Sequence, residues 1–263
     1  MGYIQHLTLG RELTMQKFIL RNDAAGVATL TLNRPEKLNA LSVPLFRELR
    51  HHIDDIAAHP LQVKVVVLRG AGKCFSAGHD MGDLVAGEDA PHPHFQAQTI
   101  EALANLPQPV IAAIHGHCYT GALELALAAD ILLCAASAKF ADTHAKWALM
   151  PVWGLSQRLP RRIGIAKAKE MMLTCSTYTG DDAKTMGLVN VCVPDDQFDA
   201  EILRWCTAMQ RNSAFTQQSI KQLLSDTDGM PLSAGLAYEI YRSPGVGPDM
   251  QERIAAFMNR TKP

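Results

Sequence analysis

Two short apolar runs narrow the possible folds of this 263-residue chain more than any other feature. Val63 to Leu68 is nearly all β-branched, and Val110 to Ile114 carries no polar side chain. A strand with one wet face alternates apolar and polar residues. A strand apolar throughout is covered on both faces, the habit of a parallel sheet layered between helices. The intervals fit that layering. Ser42 caps a predicted helix running to about Ala58, with Pro44 in its first turn and Leu45, Leu49, Ile53 and Ile56 on one face; Pro60 stops it. Ahead of it, Lys17 to Leu20 and Val27 to Leu32 read as strands joined by a turn at Asn22 to Gly26. A loose segment, Gly82 to Pro93, leads into a helix that ends at Leu106 before Pro107 and Pro109. A helix from Gly121 follows, then strands at Ile131 to Cys134, Lys139 to Ala141 and Leu188 to Val193. This succession predicts an α/β layered domain.

Beyond Gln197 the strand patterns stop, and Phe198 to Met209, Ser213 to Leu224, Pro231 to Tyr241 and Gly247 to Met258 read as helices. The expected division is an N-terminal extension (1–16, with Met15 an alternative start), an α/β core (17–196) and a helical region (197–263) suited to packing or assembly. Hydrophobic residues make up 48% and charged residues 19%, ordinary for a water-soluble globular protein. With 25 basic and 26 acidic residues, the chain has no charge excess for nucleic acid or an anionic membrane. The most apolar stretch, Leu123 to Ala136, is broken by Glu124 and Asp130, so it predicts no membrane span. No secretory signal pattern is visible, and the expected location is cytoplasmic. The six cysteines form no CxxC pair and no metal-ligand spacing, which fits reduced thiols among apolar neighbours. No HExxH, Walker A or GxSxG sequence occurs, and Gly70-Ala71-Gly72 lacks the third glycine of a dinucleotide fingerprint.

Two corners look arranged for chemistry. Cys74-Phe75-Ser76-Ala77-Gly78-His79-Asp80 follows the first buried run, and Gly116 to Glu124 follows the second. Small residues at a strand exit let the chain turn and let backbone N–H groups face a ligand. Two such N–H groups converging on one point form an oxyanion hole, and a helix starting at Gly121 would add roughly half a positive charge. The plainer alternative is that the glycines only shape tight turns. Glu124 sits among Leu and Ala, and it is no capping-box partner, because the third position after Thr120 is Leu123. A carboxyl in such surroundings has a raised pKa, which suits proton transfer near neutral pH.

With these corners in hand, the chain resembles the crotonase, or enoyl-CoA hydratase/isomerase, superfamily. The resemblance rests on Leu32-Asn33-Arg34-Pro35 through Asn39-Ala40-Leu41, on Phe75 to Asp80, on Gly116 to Asp130, and on Ala138-Lys139-Phe140 through Pro151, Gly154 and Arg158-Leu159-Pro160. Thr179-Gly180 to Val193-Pro194 extends it. It implies a crotonase-like spiral of ββα units with a C-terminal helical oligomerisation region forming a homotrimer or a hexamer of paired trimers. It implies an acyl-CoA thioester substrate and no separate cofactor or metal. It places the oxyanion-hole amides at Ala77 and Gly121, and coenzyme A along Lys37, Leu38 and Ala40 and beside Ala77, Gly78, His79 and Asp80. Glu124 matches the first of the two glutamates of a family hydratase, whereas the second position holds His144. Imidazole exchanges protons near neutral pH, so His144 can stand in for that carboxylate or simply line the pocket; Asp142 either orients it or caps the next helix. The leading expectation is a CoA-thioester hydro-lyase. An isomerase, decarboxylase or thioester hydrolase, and a non-catalytic acyl-CoA-binding protein, stay open.

Overall fold

The computed structural model describes residues 17–60 and 62–260; the expected extension and Met15 lie outside them. The chain opens with an antiparallel pair, β1 (Ile19–Ala24) and β2 (Val27–Leu32), followed by helix α1 (Val43–Ala58). Ser42 caps α1 through its hydroxyl, which accepts from the Leu45 amide. The face carrying Leu45, Phe46, Leu49, Ile53 and Ile56 is fully buried. At about 1.5–3 kcal/mol for each such side chain, this stripe fixes how the helix lies.

Next come β3 (Val65–Gly70), α2 (Met81–Ala86), α3 (Phe95–Ala104), β4 (Val110–Ile114), β5 (His117–Tyr119), α4 (Gly121–Ala126), β6 (Ile131–Ala135) and β7 (Lys139–Ala141). Helices α5 (Leu155–Ile163) and α6 (Ile165–Thr174), strand β8 (Tyr178–Thr179), α7 (Gly180–Thr185) and β9 (Val191–Val193) complete the core. One sheet runs β1-β2-β3-β4-β6-β9, parallel from β2 onward, and a smaller sheet runs β5-β7-β8. The central strands β3 and β4 are buried almost throughout, as their unbroken apolar sequence predicts. The larger core cluster covers one sheet face, and Phe198, Ile202 and Cys206 pack against the other.

Four helices close the chain: α8 (Phe198–Gln210), α9 (Ala214–Asp226), α10 (Leu232–Arg242) and α11 (Met250–Arg260). Two expected elements change. The strand at Leu188 to Val193 is only β9, because the Leu188 and Val189 amides both turn back to Ala183 O behind α7. The helix from Gly121 ends after six residues. Among the described residues no helix is long and apolar enough to cross a membrane.

Candidate active site

The two corners meet beside Trp153. Phe75 and Ser76 run alongside the chain at His115 and His117, with Phe75 N donating to His115 O at 2.7 Å and Ser76 N to His117 O at 2.9 Å. These bonds bring the Gly78–His79 turn against the Tyr119–Gly121 turn. A Cβ on Gly78 would fall 2.7 Å from Tyr119 O and 3.6 Å from Gly121 N, and one on Gly121 would fall 3.5 Å from His79 N. Gly78 is therefore needed for backbone to approach backbone, whereas a Cβ on Gly121 would strike the Trp153 ring at 2.6 Å.

The amide that faces Gly121 is not the expected one. Ala77 N donates to Leu38 O at 2.9 Å and is occupied. Gly78, at φ +102°, breaks the alternation of the extended chain after Ala77. The next residues bridge to Leu41 through Gly78 O, which accepts from Leu41 N at 2.8 Å, and Asp80 N, which donates to Leu41 O at 2.9 Å. In a parallel bridge these are the groups flanking His79, so His79 N–H points the opposite way. Among the described residues neither His79 N–H nor Gly121 N–H has an acceptor. Ala77 is therefore corrected to His79 as the amide paired with Gly121. Because α4 is a short helix, the aim of these N–H groups matters more than any macrodipole.

Thr120 sets that aim at a cost. It holds φ 51°, ψ −110°, a conformation that strains a β-branched residue by about 1–3 kcal/mol. Its amide donates to Ala141 O at 2.8 Å, and its hydroxyl lies 2.6 Å from Thr143 Oγ1 and accepts from Thr143 N at 3.0 Å. These bonds tie α4 to the segment that follows β7, which carries the next partners.

Glu124 lies one helical turn beyond Gly121 and is 1% exposed. Its Oε1 accepts from Trp153 N at 2.9 Å and Leu155 N at 3.1 Å, two main-chain donors separated by Gly154 at φ +110°. Its Oε2 lies 3.7 Å from His144 Nε2. His144 Nδ1 in turn donates to Asp142 Oδ1 at 2.6 Å, and the same oxygen accepts from His144 N at 3.1 Å. Asp142 is buried, and its Oδ1 meets both the imidazole and the His144 backbone amide at the start of the following 3₁₀ turn. The tautomer that donates Nδ1–H to Asp142 has a bare Nε2 toward Glu124. Burial pushes the Glu124 carboxyl above its ordinary pKa, against the opposing pull of the Leu155 and Trp153 amides and of His144.

These groups border a cavity of about 260 Å³, lined by Thr120, Gly121, Glu124, His144, His79 and Trp153 among others. Larger cavities of about 530 and 730 Å³ lie against α9, away from these paired groups. Among the described residues no cluster of His, Cys, Asp and Glu is disposed to hold a metal ion. Of the other expected residues, Lys37 and Leu38 are exposed on a short 3₁₀ turn, while Ala40 O accepts from Arg34 Nη1 at 2.7 Å. The Asp80 carboxylate pairs with Arg34 at 3.0 Å and caps α2 through Gly82 N. It braces the turn. The Trp153 and Leu155 amides had no expected role, since a backbone donor leaves no mark in a side-chain pattern, and neither did the side chains of Glu88 and Gln96.

The family model described as enoyl-CoA hydratase/isomerase matches residues 22–263. The chain is 34% identical over 256 residues to a protein of Mycobacterium bovis described as a probable enoyl-CoA hydratase, covering 95% of this chain and 98% of that one. It is 30% identical to the 1,2-epoxyphenylacetyl-CoA isomerase of Escherichia coli, with 95% and 98% covered. The crystal structure of enoyl-CoA hydratase from Bacillus anthracis superposes with a TM-score of 0.86 at 32% identity, covering 94% of this chain and 98% of that chain.

Proposed function

Because the chain belongs to the enoyl-CoA hydratase/isomerase superfamily and has its α/β crotonase fold, we propose that it is a hydro-lyase, adding water across the double bond of a 2-enoyl-CoA thioester. The observation that carries this reading is the buried Glu124, fixed by two main-chain amides on one oxygen and facing an Asp142-oriented imidazole with the other.

The thioester oxygen is received by His79 N–H and Gly121 N–H. Charge builds on that oxygen as the enolate forms, and donors fixed in advance stabilise it without reorganising; one such donor contributes about 3–4 kcal/mol to the barrier. A separation of 3.7 Å lets one water hydrogen-bond to both Glu124 Oε2 and His144 Nε2. Bare Nε2 takes a proton from this water as its oxygen bonds to the β-carbon. Glu124, holding its proton more tightly than an ordinary carboxyl, delivers it to the α-carbon. The imidazolium proton then returns to Glu124, and both groups are reset. In the dehydration direction every step reverses. Coenzyme A lies along Lys37 to Ala40 and past Gly78. A homotrimer, alone or paired into a hexamer, covers Leu232, Leu236 and Ile240 of α10, which are exposed in the single chain.

The test is steady-state hydration of crotonyl-CoA and longer enoyl-CoAs, followed by loss of the conjugated thioester chromophore. Wild type turns over, and Glu124→Gln loses about 10²–10⁴-fold in kcat. Inactive wild type, or an unimpaired variant, defeats the proposal.

A further inference from the structure

The same cavity has a second polar wall that the reaction does not use. It is made by His79, Glu88 and Gln96. Glu88, between α2 and α3, is only 20% exposed in its side chain. One carboxylate oxygen lies 2.6 Å from His79 Nε2, and the other accepts from Gln96 Nε2 at 2.7 Å. The His79 ring rests on Trp153, with centroids 4.6 Å apart. Gln96 is 5% exposed at the start of α3.

The chemistry of this wall has one sign. A carboxylate only accepts, so the amide of Gln96 must turn its NH₂ toward Glu88 and its Oε1 away. That oxygen has no donor among the described residues, yet it is not sealed in the interior. Glu88 uses two of its roughly four acceptor positions. Among the described residues no Lys or Arg lines the cavity, and the further basic side chain there is His94. On this wall, what remains open to a ligand is thus acceptor capacity next to a carboxylate, while Leu84, Ala97, Leu149, Met150 and Val152 line the rest. A methyl-ended acyl chain would desolvate these oxygens and leave them unanswered, and a carboxylate-ended chain would meet Glu88 with like charge. The cavity is also smaller than the roughly 300–1,000 Å³ of sites that engulf drug-sized molecules.

We propose that the substrate is a short acyl-CoA thioester whose acyl group ends in a hydrogen-bond donor, a hydroxyl or an ammonium, received by Gln96 Oε1 and the Glu88 carboxylate. The proposal rests on the reading of this cleft as an acyl-thioester site and narrows its substrate class.

The experiment is calorimetric binding to the Glu124→Gln protein, so that affinity is read without turnover. The probes are enoyl-CoA thioesters of matched length ending in methyl, hydroxyl, ammonium or carboxylate. A donor-ended thioester is expected to bind about tenfold or more tightly than the methyl-ended one, with the carboxylate-ended one weakest. Gln96→Leu in the same background is expected to erase that advantage. Glu88→Gln is expected to weaken the ammonium far more than the hydroxyl, which tells the two donors apart, and it serves alone if Gln96→Leu fails to fold. Methyl- or carboxylate-ended thioesters binding tightest, or a preference untouched by both substitutions, overturns the proposal. Donor-selective binding by a protein whose wild type shows no turnover would sink the hydro-lyase reading and leave this one standing. If no thioester binds, both fall.

Discussion

Glu124 and Glu88 face one cavity and are held in opposite ways. Glu124 is sealed at 1% exposure and gripped by the Trp153 and Leu155 amides, which the fold fixes. Glu88 is partly open and held by two side chains, His79 and Gln96, which can rotate. Main-chain donors allow no second arrangement, so Glu124 keeps one oxygen aimed at His144. Side-chain donors allow adjustment to what enters. On the proposed reaction, rigidity sits at the bond to be made, and adaptability where the rest of the substrate is read.

The largest effect expected from this contrast is a split in kinetics. Glu124→Gln should lower kcat by about 10²–10⁴-fold, while Glu88→Gln should act chiefly on KM for a donor-ended substrate. If Glu88→Gln instead depresses kcat as Glu124→Gln does, the two carboxylates are not functionally distinct. Next in size is the imidazole pair. His144→Asn removes the proton acceptor, and a loss of about 10²–10³-fold in kcat is expected. Asp142→Asn keeps the shape but invites the wrong tautomer, presenting Nε2–H to the water; kcat should fall by at least about tenfold with little change in KM. Equal activity of the two variants with wild type would reduce His144 to a wall residue. A third expectation concerns the approach of the corners. Gly78→Ala places a Cβ 2.7 Å from Tyr119 O at φ +102°, and a stability loss of about 1–3 kcal/mol should appear in denaturant melts. Gly87 also has a positive φ (84°), but a Cβ there would meet none of the described residues within 4 Å, so Gly87→Ala should show only the backbone strain and cost less.

How much of this was legible in the sequence depends on what kind of fact it is. The apolar runs that became β3 and β4, the Ser42 cap and the four C-terminal helices follow from local pattern, and their bounds agree within a few residues. The burial of Glu124 followed from its neighbours. Helices α5 to α7 were not expected; in α5, Pro160 sits inside and Gly154 and Gly164 flank it, which hides the helical pattern. The choice between Ala77 and His79 turns on a single backbone reversal at Gly78, and no side-chain pattern encodes which way an N–H faces. Likewise, Glu88 and Gln96 are eight residues apart across a loop, and only the folded chain shows them sharing a hydrogen bond.

The smallest effect concerns pH. Burial raises the Glu124 pKa in the folded protein above its value in the unfolded chain. Between those two values the folded state binds more protons than the unfolded state, so stability falls as pH rises through the window. The contribution is present in full below the ordinary carboxylate range and is lost above the folded pKa. Glu124→Gln has no such titration, and its amide oxygen can still accept from Trp153 N and Leu155 N. Its stability relative to wild type should therefore rise from acid to neutral pH, measured by urea unfolding at both. The titratable groups facing Glu124 are His144 and Asp142. Repeating the pair in a His144→Asn background separates the carboxyl's own burial from the opposing pull of His144. In that background the pH dependence should grow, because one of the groups that pull the carboxyl pKa down is gone. A difference flat across pH in both backgrounds would mean the two main-chain amides offset the burial completely, and Glu124 would then enter the reaction as an ordinary carboxylate.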